Sequence, residues 1–283
     1  MSSRIDLHIH TNASDGTYSP EELLAKVREA GIETFAVTDH DTIKGAMAMK
    51  KLISGEPVKF VAGIEFSCRM KTGKAHILGF NYDETSEAFI KVLRAGDDLR
   101  HAKFFKRIEF LHDKFNINFT DDEIQNLLKI PSVGKPHLGN LIVAKGRAST
   151  RAQAIESFID KCKTGNDKID AEFAISSIIS SGGVAVWAHP LGGEREPELP
   201  VDKFRASLDE LTSYGLQGLE CYYSKYEVSK CEWLADVARK RGLYVSGGSD
   251  CHGTNKSIPL GRLNTEDRFI SHELLSILRS GIV

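Results

Sequence analysis

Residues 4–10 read Arg4-Ile5-Asp6-Leu7-His8-Ile9-His10, an alternation of period two. In an extended strand Ile5, Leu7 and Ile9 share one face, while Asp6, His8 and His10 share the other. A helix follows: Ser19 is a natural N-cap, Pro20 suits the first helical position, and Glu22 completes a capping box. Leu23, Leu24, Val27 and Ala30 form its apolar stripe, and Gly31 stops it. The cycle repeats. Residues 34–38 read as a strand, 42–53 as a helix, and 58–66 and 74–80 as further strands. Later come 183–188, 218–222 and 243–247, each preceded by a helix closing at Gly182, Gly215 or Gly242. Seven strand candidates with helical crossovers predict an α/β fold, a parallel sheet covered by helices and closed or nearly closed into a barrel.

The stretch from about residue 96 to 170 breaks this rhythm. Phe104, Phe105, Ile108, Leu111 and Phe115, then Ile124, Leu127 and Leu128, keep helical spacing, and no strand is evident. It reads as a helical insertion between the fourth and fifth strands. No repeat or low-complexity segment is visible.

Composition narrows the class. The chain has 283 residues, 41% hydrophobic and 27% charged, as in a folded soluble protein. No apolar run approaches the roughly 20 residues of a membrane helix, and a strand-like run by Ile5 leaves no room for a signal peptide. Five cysteines without a CxxC pair read as reduced thiols of a cytoplasmic chain. A net charge of −2 gives no global pull toward nucleic acid or membrane. Between Glu123 and Glu156, however, there is no carboxylate, while Lys129, Lys135, Lys145, Arg147 and Arg151 fall inside that interval. Such a local cationic stretch is either a solvated helix face or a docking place for an anion.

The histidines carry the functional signal. His8, His10, His40, His76, His189 and His252 lie at or near the C-terminal ends of strand candidates, where the loops of a parallel barrel converge. Glu65 and Asp250 occupy equivalent places, and Asp15 lies in the loop after the first strand. His8 and His10, two apart, put both imidazoles on one side of a strand. Gly63-Ile64-Glu65 ends an apolar strand in a carboxylate, whose charge needs a partner there. Nine such groups at one rim suit two or three divalent ions with mixed nitrogen and oxygen ligands. Asp39 and Asp41 flank His40 and are candidates to orient it, or simply cap a turn. His101, His112 and His272 sit among charged residues and read as solvated.

The ordered set His8-Ile9-His10, Thr38-Asp39-His40, Gly63-Ile64-Glu65, His76, Ala188-His189-Pro190 and Ser249-Asp250-Cys251-His252 resembles that of the polymerase and histidinol phosphatase (PHP) family of phosphoesterases. The resemblance implies a distorted (β/α)7 barrel over residues 1–96 and 171–283, with a helical insertion, 97–170, over the active site. Ser14-Asp15-Gly16-Thr17, Thr38-Asp39-His40-Asp41-Thr42, His76-Ile77-Leu78-Gly79 and Gly134-Lys135-Pro136-His137 are similar to the nucleoside 3′,5′-bisphosphate phosphatases and a related 5′-to-3′ exonuclease of short RNA.

By that resemblance one ion is held by His8, His10, Glu65 and Asp250. A second shares Glu65 and adds His76 and His189. A third takes Asp15, His40 and His252. The ions implied are two or three of manganese, iron or zinc, and catalysis needs no group beyond these ligands and a bridging hydroxide. Lys135, where the subgroup often has arginine, and His137 are the expected contacts to a second phosphate of a phosphorylated nucleotide or short oligonucleotide. No membrane or protein partner is expected. Two other readings are open: an amidohydrolase-type metal hydrolase, which also opens with HxH, and a non-catalytic structural barrel.

Overall fold

The computed structural model describes residues 3–165, 168–194, 196–263 and 268–279. The first half runs β1 (Arg4–Asp6), α1 (Pro20–Glu29), β2 (Ile32–Val37), α2 (Lys44–Leu52), β3 (Lys59–Met70) and β4 (Gly73–Phe80). Helices α3 (Glu87–Phe115), α4 (Asp121–Leu128), α5 (Lys135–Ala144) and α6 (Arg151–Ser157) follow. The chain then returns through β5 (Ile169–Asp170), α7 (Ala171–Ser180), β6 (Val184–Ala188), α8 (Val201–Ser213), β7 (Gly218–Tyr223), α9 (Val228–Lys240) and β8 (Tyr244–Gly248).

One sheet joins them in the order β1-β2-β3-β4-β6-β7-β8, with β5 attached to β3. Its two ends meet just past the first and last strands. The His10 amide donates to the Cys251 carbonyl at 2.9 Å, and the Asp250 amide to the His8 carbonyl at 2.8 Å. The result is the nearly closed, distorted α/β barrel that the alternation of elements predicts. Gly248 permits this seam, because a Cβ there would lie 2.3 Å from the Cβ of His8. The period-two reading of 4–10 holds, but both faces are buried: Ile5, Leu7 and Ile9 face the helices, and Asp6, His8 and His10 are equally closed to solvent.

The sheet is not wholly parallel, which corrects the expectation. β4 runs antiparallel to both β3 and β6. Only Lys71 and Thr72 separate β3 from β4, and so short a link makes a hairpin, whereas a parallel crossover needs a dozen residues or more. Two further expectations change with it. Glu65 lies within β3, which continues to Met70, and His76 lies in the first half of β4. Because β4 is reversed, its early residues reach the same mouth as the late residues of the parallel strands. The stretch read as strandless also holds β5, two residues paired to Cys68 and Arg69.

The capping box of α1 is formed: Ser19 Oγ accepts from the Glu22 amide, and Glu22 Oε2 from the Ser19 amide at 2.8 Å. Apolar side chains of α1 and α2 pack with Ile9, Phe35 and Val37, while α7, α8 and α9 cover the rest of the barrel. A separate cluster containing Phe104, Leu111, Leu138, Ile142 and Ile159 joins the later part of α3 to α5 and the segment after α6. α3 is continuous through residues 96 and 97; Phe89 and Val92 on it pack against the barrel, and Phe104 and Leu111 against this second cluster.

Candidate metal centre

Glu65 is at the centre of the mouth and only 1% exposed. Its Oε1 lies 3.0 Å from His76 Nδ1 and 3.2 Å from His189 Nε2. Its Oε2 lies 3.2 Å from His8 Nε2, 3.1 Å from His10 Nε2 and 3.1 Å from His40 Nδ1. One carboxylate therefore presents a different oxygen to two sets of imidazoles. Asp250 Oδ1 stands 3.3 Å from His10 Nε2 and 3.6 Å from His8 Nε2. Asp15 Oδ1 stands 3.1 Å from His252 Nε2, and its Oδ2 is 3.9 Å from His40 Nε2.

Three groups of ligand atoms are compact enough to share an ion: His8, His10 and Glu65; His40, Glu65 and His76; and His10, Asp15, His40 and His252. All nine side chains singled out in the sequence thus meet at one mouth. The groups differ from the expected partition at His40, which approaches Glu65 as well as Asp15, and at His10, which faces the Asp15 side as well as His8.

The donor set tests whether cations fit. Glu65 Oε2, Asp15 Oδ1 and His40 Nδ1 are buried and make no hydrogen bond. Imidazole nitrogens lie 3.1 Å from Glu65 Oε2 and from Asp15 Oδ1 without completing a hydrogen bond. His8 and His10 likewise bring their Nε2 atoms within 3.1 Å of each other. Buried polar atoms left in this way cost about 1–3 kcal/mol each, and imidazole and carboxylate lone pairs converging on common points suit divalent cations.

Protonation follows the same crowding. Burial alone would lower His10, but the Asp250 and Glu65 carboxylates beside it raise it to about 9. Burial lowers His40 to about 3 despite Glu65 and Asp15. Glu65, Asp15 and Asp250 stay well below the usual carboxylate range: burial would raise them, yet the surrounding histidines, and for Asp250 also Lys256, prevail.

A polar shell that the sequence reading passed over fixes these ligands. Glu220, fully buried, lies 2.8 Å from His8 Nδ1 through Oε1 and accepts the His189 amide at 2.7 Å through Oε2. The His8 contact leaves Nε2 free to point at the cluster. Its signal was available: Gly218-Leu219-Glu220 places a carboxylate in an apolar strand just as Gly63-Ile64-Glu65 does. Asp6 accepts from the amides of His8, Ser249 and Gly261 and from Ser249 Oγ, and burial pushes it up to about 6 against those donors. Tyr223 and Lys256 both reach Asp250 Oδ2, at 3.0 and 2.6 Å.

Asp39 and Asp41 do not hold His40. Asp39 accepts from the Thr11 amide, Thr11 Oγ1 and Ser14 Oγ, shaping the loop that carries Asp15. Asp41 accepts from the Ser67 amide and pairs with Arg100. Asp41, His189 and Asp250 have positive φ angles of 53°, 30° and 58°, a strained backbone costing on the order of 1–3 kcal/mol each that surrounding bonds must maintain.

The cavity over the cluster encloses about 220 Å³ and is also lined by Arg151, Ile155, Asn255 and Lys256. Lys135 and His137 are not among the side chains lining this cavity. Lys135 is half exposed and pairs with Asp160. His137 Nδ1 accepts from the Gly134 amide at 2.9 Å, and burial lowers the ring below the usual histidine range.

A Glu220→Gln variant is expected to bind manganese about 10–100-fold more weakly, the usual cost of losing a buried partner of a ligating histidine. Metal titration of the folded variant measures this; unchanged affinity would mean that other contacts orient His8.

Comparisons with known proteins agree with this geometry. The PHP domain profile matches residues 6–164. The 5′-3′ exoribonuclease Rnm of Escherichia coli is 31% identical over 262 residues, covering 91% of this chain and 88% of its own. A phosphoribosyl 1,2-cyclic phosphate 1,2-diphosphodiesterase of Eggerthella lenta is 27% identical, with 90% and 96% covered. A 3′,5′-nucleoside bisphosphate phosphatase of Chromobacterium violaceum is 26% identical, with 88% and 87% covered. A solved Bifidobacterium adolescentis structure, assigned as a metal-dependent phosphoesterase, superposes with a TM-score of 0.82 at 26% identity, over 99% of this chain and 96% of its own. With a profile match across more than half its length and a 31% identical relative over nearly all of it, the chain belongs to the PHP domain family.

Proposed function

We propose that the protein is a metal-dependent phosphoesterase that hydrolyses phosphate esters of nucleotides, with nucleoside 3′,5′-bisphosphates and the 5′ ends of short RNA as its substrates. The observation that carries this reading is Glu65: one buried carboxylate faces five imidazoles, with separate oxygens turned to separate groups. The ligands are His8, His10, Asp15, His40, Glu65, His76, His189, Asp250 and His252, holding two or three manganese, iron or zinc ions. Bound there, such ions lower the pKa of water and neutralise charge on phosphoryl oxygens.

The chain's own residues supply the rest. Lys256, on the cavity wall and bonded to Asp250, adds a positive charge beside the place for a substrate phosphate. Residues 97–170 act as a cap that narrows the mouth and excludes water. Arg151 on the cap bonds Asn255, whose Nδ2 donates to the Asp15 carbonyl at 2.7 Å, so the cap is tied to the loop carrying a ligand. Ser132 adds a second tie, its amide donating to the Ala13 carbonyl at 3.0 Å. The five unpaired cysteines support a cytoplasmic setting, and among the described residues no helix is long and apolar enough to cross a membrane.

The test is a manganese-supplemented screen of nucleoside bisphosphates, 5′-phosphorylated oligoribonucleotides and an amide panel, with His8→Ala as control. Phosphate release by the native chain is expected, falling by about 10²-fold or more in the variant. A metal-loaded, folded protein that cleaves only amides would overturn the assignment.

A further inference from the structure

A second cavity, of about 370 Å³, opens beside the first, and basic side chains make up much of its wall. Half-buried Lys103 reaches it from α3, with Arg100 and Arg107 three and four residues away on the same helix face. Lys74, Lys135 and Lys168 reach it from other segments. His40 and His76 line it where it borders the metal cluster. Among the described residues its carboxylates are Asp15, within that cluster, and Glu196, which accepts the Gly193 amide. Arg100 pairs with Asp41, and Lys135 with Asp160.

These surroundings disfavour an ammonium group. Burial draws the Lys103 amine down to about 8, with Arg100, Lys168 and Arg107 adding repulsion that Asp41 offsets only in part. At about pH 7.5 roughly a quarter of such amines are neutral, against about one in a thousand for an ordinary lysine. The cavity also holds donors that lack an acceptor. Ser132, 1% exposed, lines it, and neither its Oγ nor Arg100 Nε makes a hydrogen bond. A nucleophile ringed by cations and idle donors suits a reaction that turns the amine into an anion. Acylation yields a neutral amide, which gains little from that setting; addition to carbon dioxide yields a carboxylate, which gains charge-assisted hydrogen bonds.

We infer that Lys103 is a modification site at which the amine forms a carbamate with carbon dioxide, held by the charges of Arg100 and Arg107 and by Ser132 Oγ. The nitrogen lone pair makes the N–C bond, one C=O bonding pair moves onto oxygen, and the amine releases one proton to solvent. Nothing is oxidised or reduced. Dissolved carbon dioxide thereby reverses a charge on the wall beside the metal cluster. The inference stands apart from the phosphoesterase reading, because its test reads mass rather than turnover.

The native chain is incubated with carbon-13 bicarbonate at about pH 7.5, trapped with triethyloxonium ion, which esterifies carbamates, and mapped by peptide mass spectrometry. The neutral fraction favours Lys103 about two-hundredfold over an ordinary lysine, and the weaker nucleophilicity of a less basic amine takes back part of this. At least about tenfold more label is therefore expected on Lys103 than on exposed Lys51 or Lys240. Lys103→Met is expected to lose the label, and Ser132→Ala, which removes one donor, to lower it at least about threefold. Label spread evenly over the lysines, or found on Lys168 without Lys103, overturns the inference. So does a Ser132→Ala chain that labels as fully as the native one. If Lys103→Met does not fold, Lys103→Arg keeps the charge without a titratable amine and is expected to lose the label as completely.

Discussion

Glu65→Gln is expected to lower phosphate release by at least about 10³-fold and to reduce bound metal by more than one equivalent. The argument is geometric. Both carboxylate oxygens are used, Oε1 toward His76 and His189, Oε2 toward His8, His10 and His40. Glutamine keeps the volume and removes the charge, and its amide nitrogen turns a donor toward cations or imidazoles that need an acceptor. Two ion sites are damaged by one substitution, so the loss should exceed the roughly 10²–10³-fold cost of deleting a single transition-state contact. His76→Ala touches one group only and should cost less in both activity and metal content. Mass spectrometry of the native holoprotein, with turnover on the same sample, reads both effects. A Glu65→Gln protein with full metal content and native turnover would remove Glu65 from the centre of the site.

Why the centre was readable from the sequence follows from the chemistry of its ligands. His8, His10 and Glu65 break apolar strands with groups that are costly to bury, and such breaks stand out against a hydrophobic pattern. The strands themselves were legible because the β/α alternation is local. The reversed β4 was missed because apolar content does not report direction; only the two-residue link Lys71-Thr72 carried that information. Ile169 and Asp170 are too few to show any period. Glu220 was overlooked although its strand repeats the pattern around Glu65, because its role depends on His8, 212 residues away. The cap contacts were legible only as composition. The acid-free interval marks a basic region, but other basic side chains of the adjoining cavity, Lys74, Lys103 and Lys168, lie outside it.

Removing the metals should abolish activity while leaving a folded but less stable chain, and the apparent affinity for metal should rise with pH. The barrel's apolar clusters do not involve the ligands, so the fold persists without cations. Free metal at about a thousand times its dissociation constant stabilises the native state by about 4 kcal/mol. For a chain of this length, chelation should therefore lower Tm by about 7 °C. The pH dependence follows from what occupies the site otherwise. Burial opposes a charge on His10, yet Asp250 and Glu65 raise it to about 9, so at neutral pH the metal-free cluster holds a proton there. His10 must lose that proton to ligate, so cation binding expels it. Below about pH 9 each expelled proton strengthens apparent binding about tenfold per pH unit, and acidification weakens it correspondingly. Manganese titrations at pH 6, 7 and 8, with thermal melts in chelator, measure both effects. An affinity flat across that range, together with a Tm indifferent to chelator, would mean that the histidines and carboxylates neutralise one another as a closed network of hydrogen bonds and leave no work for a cation.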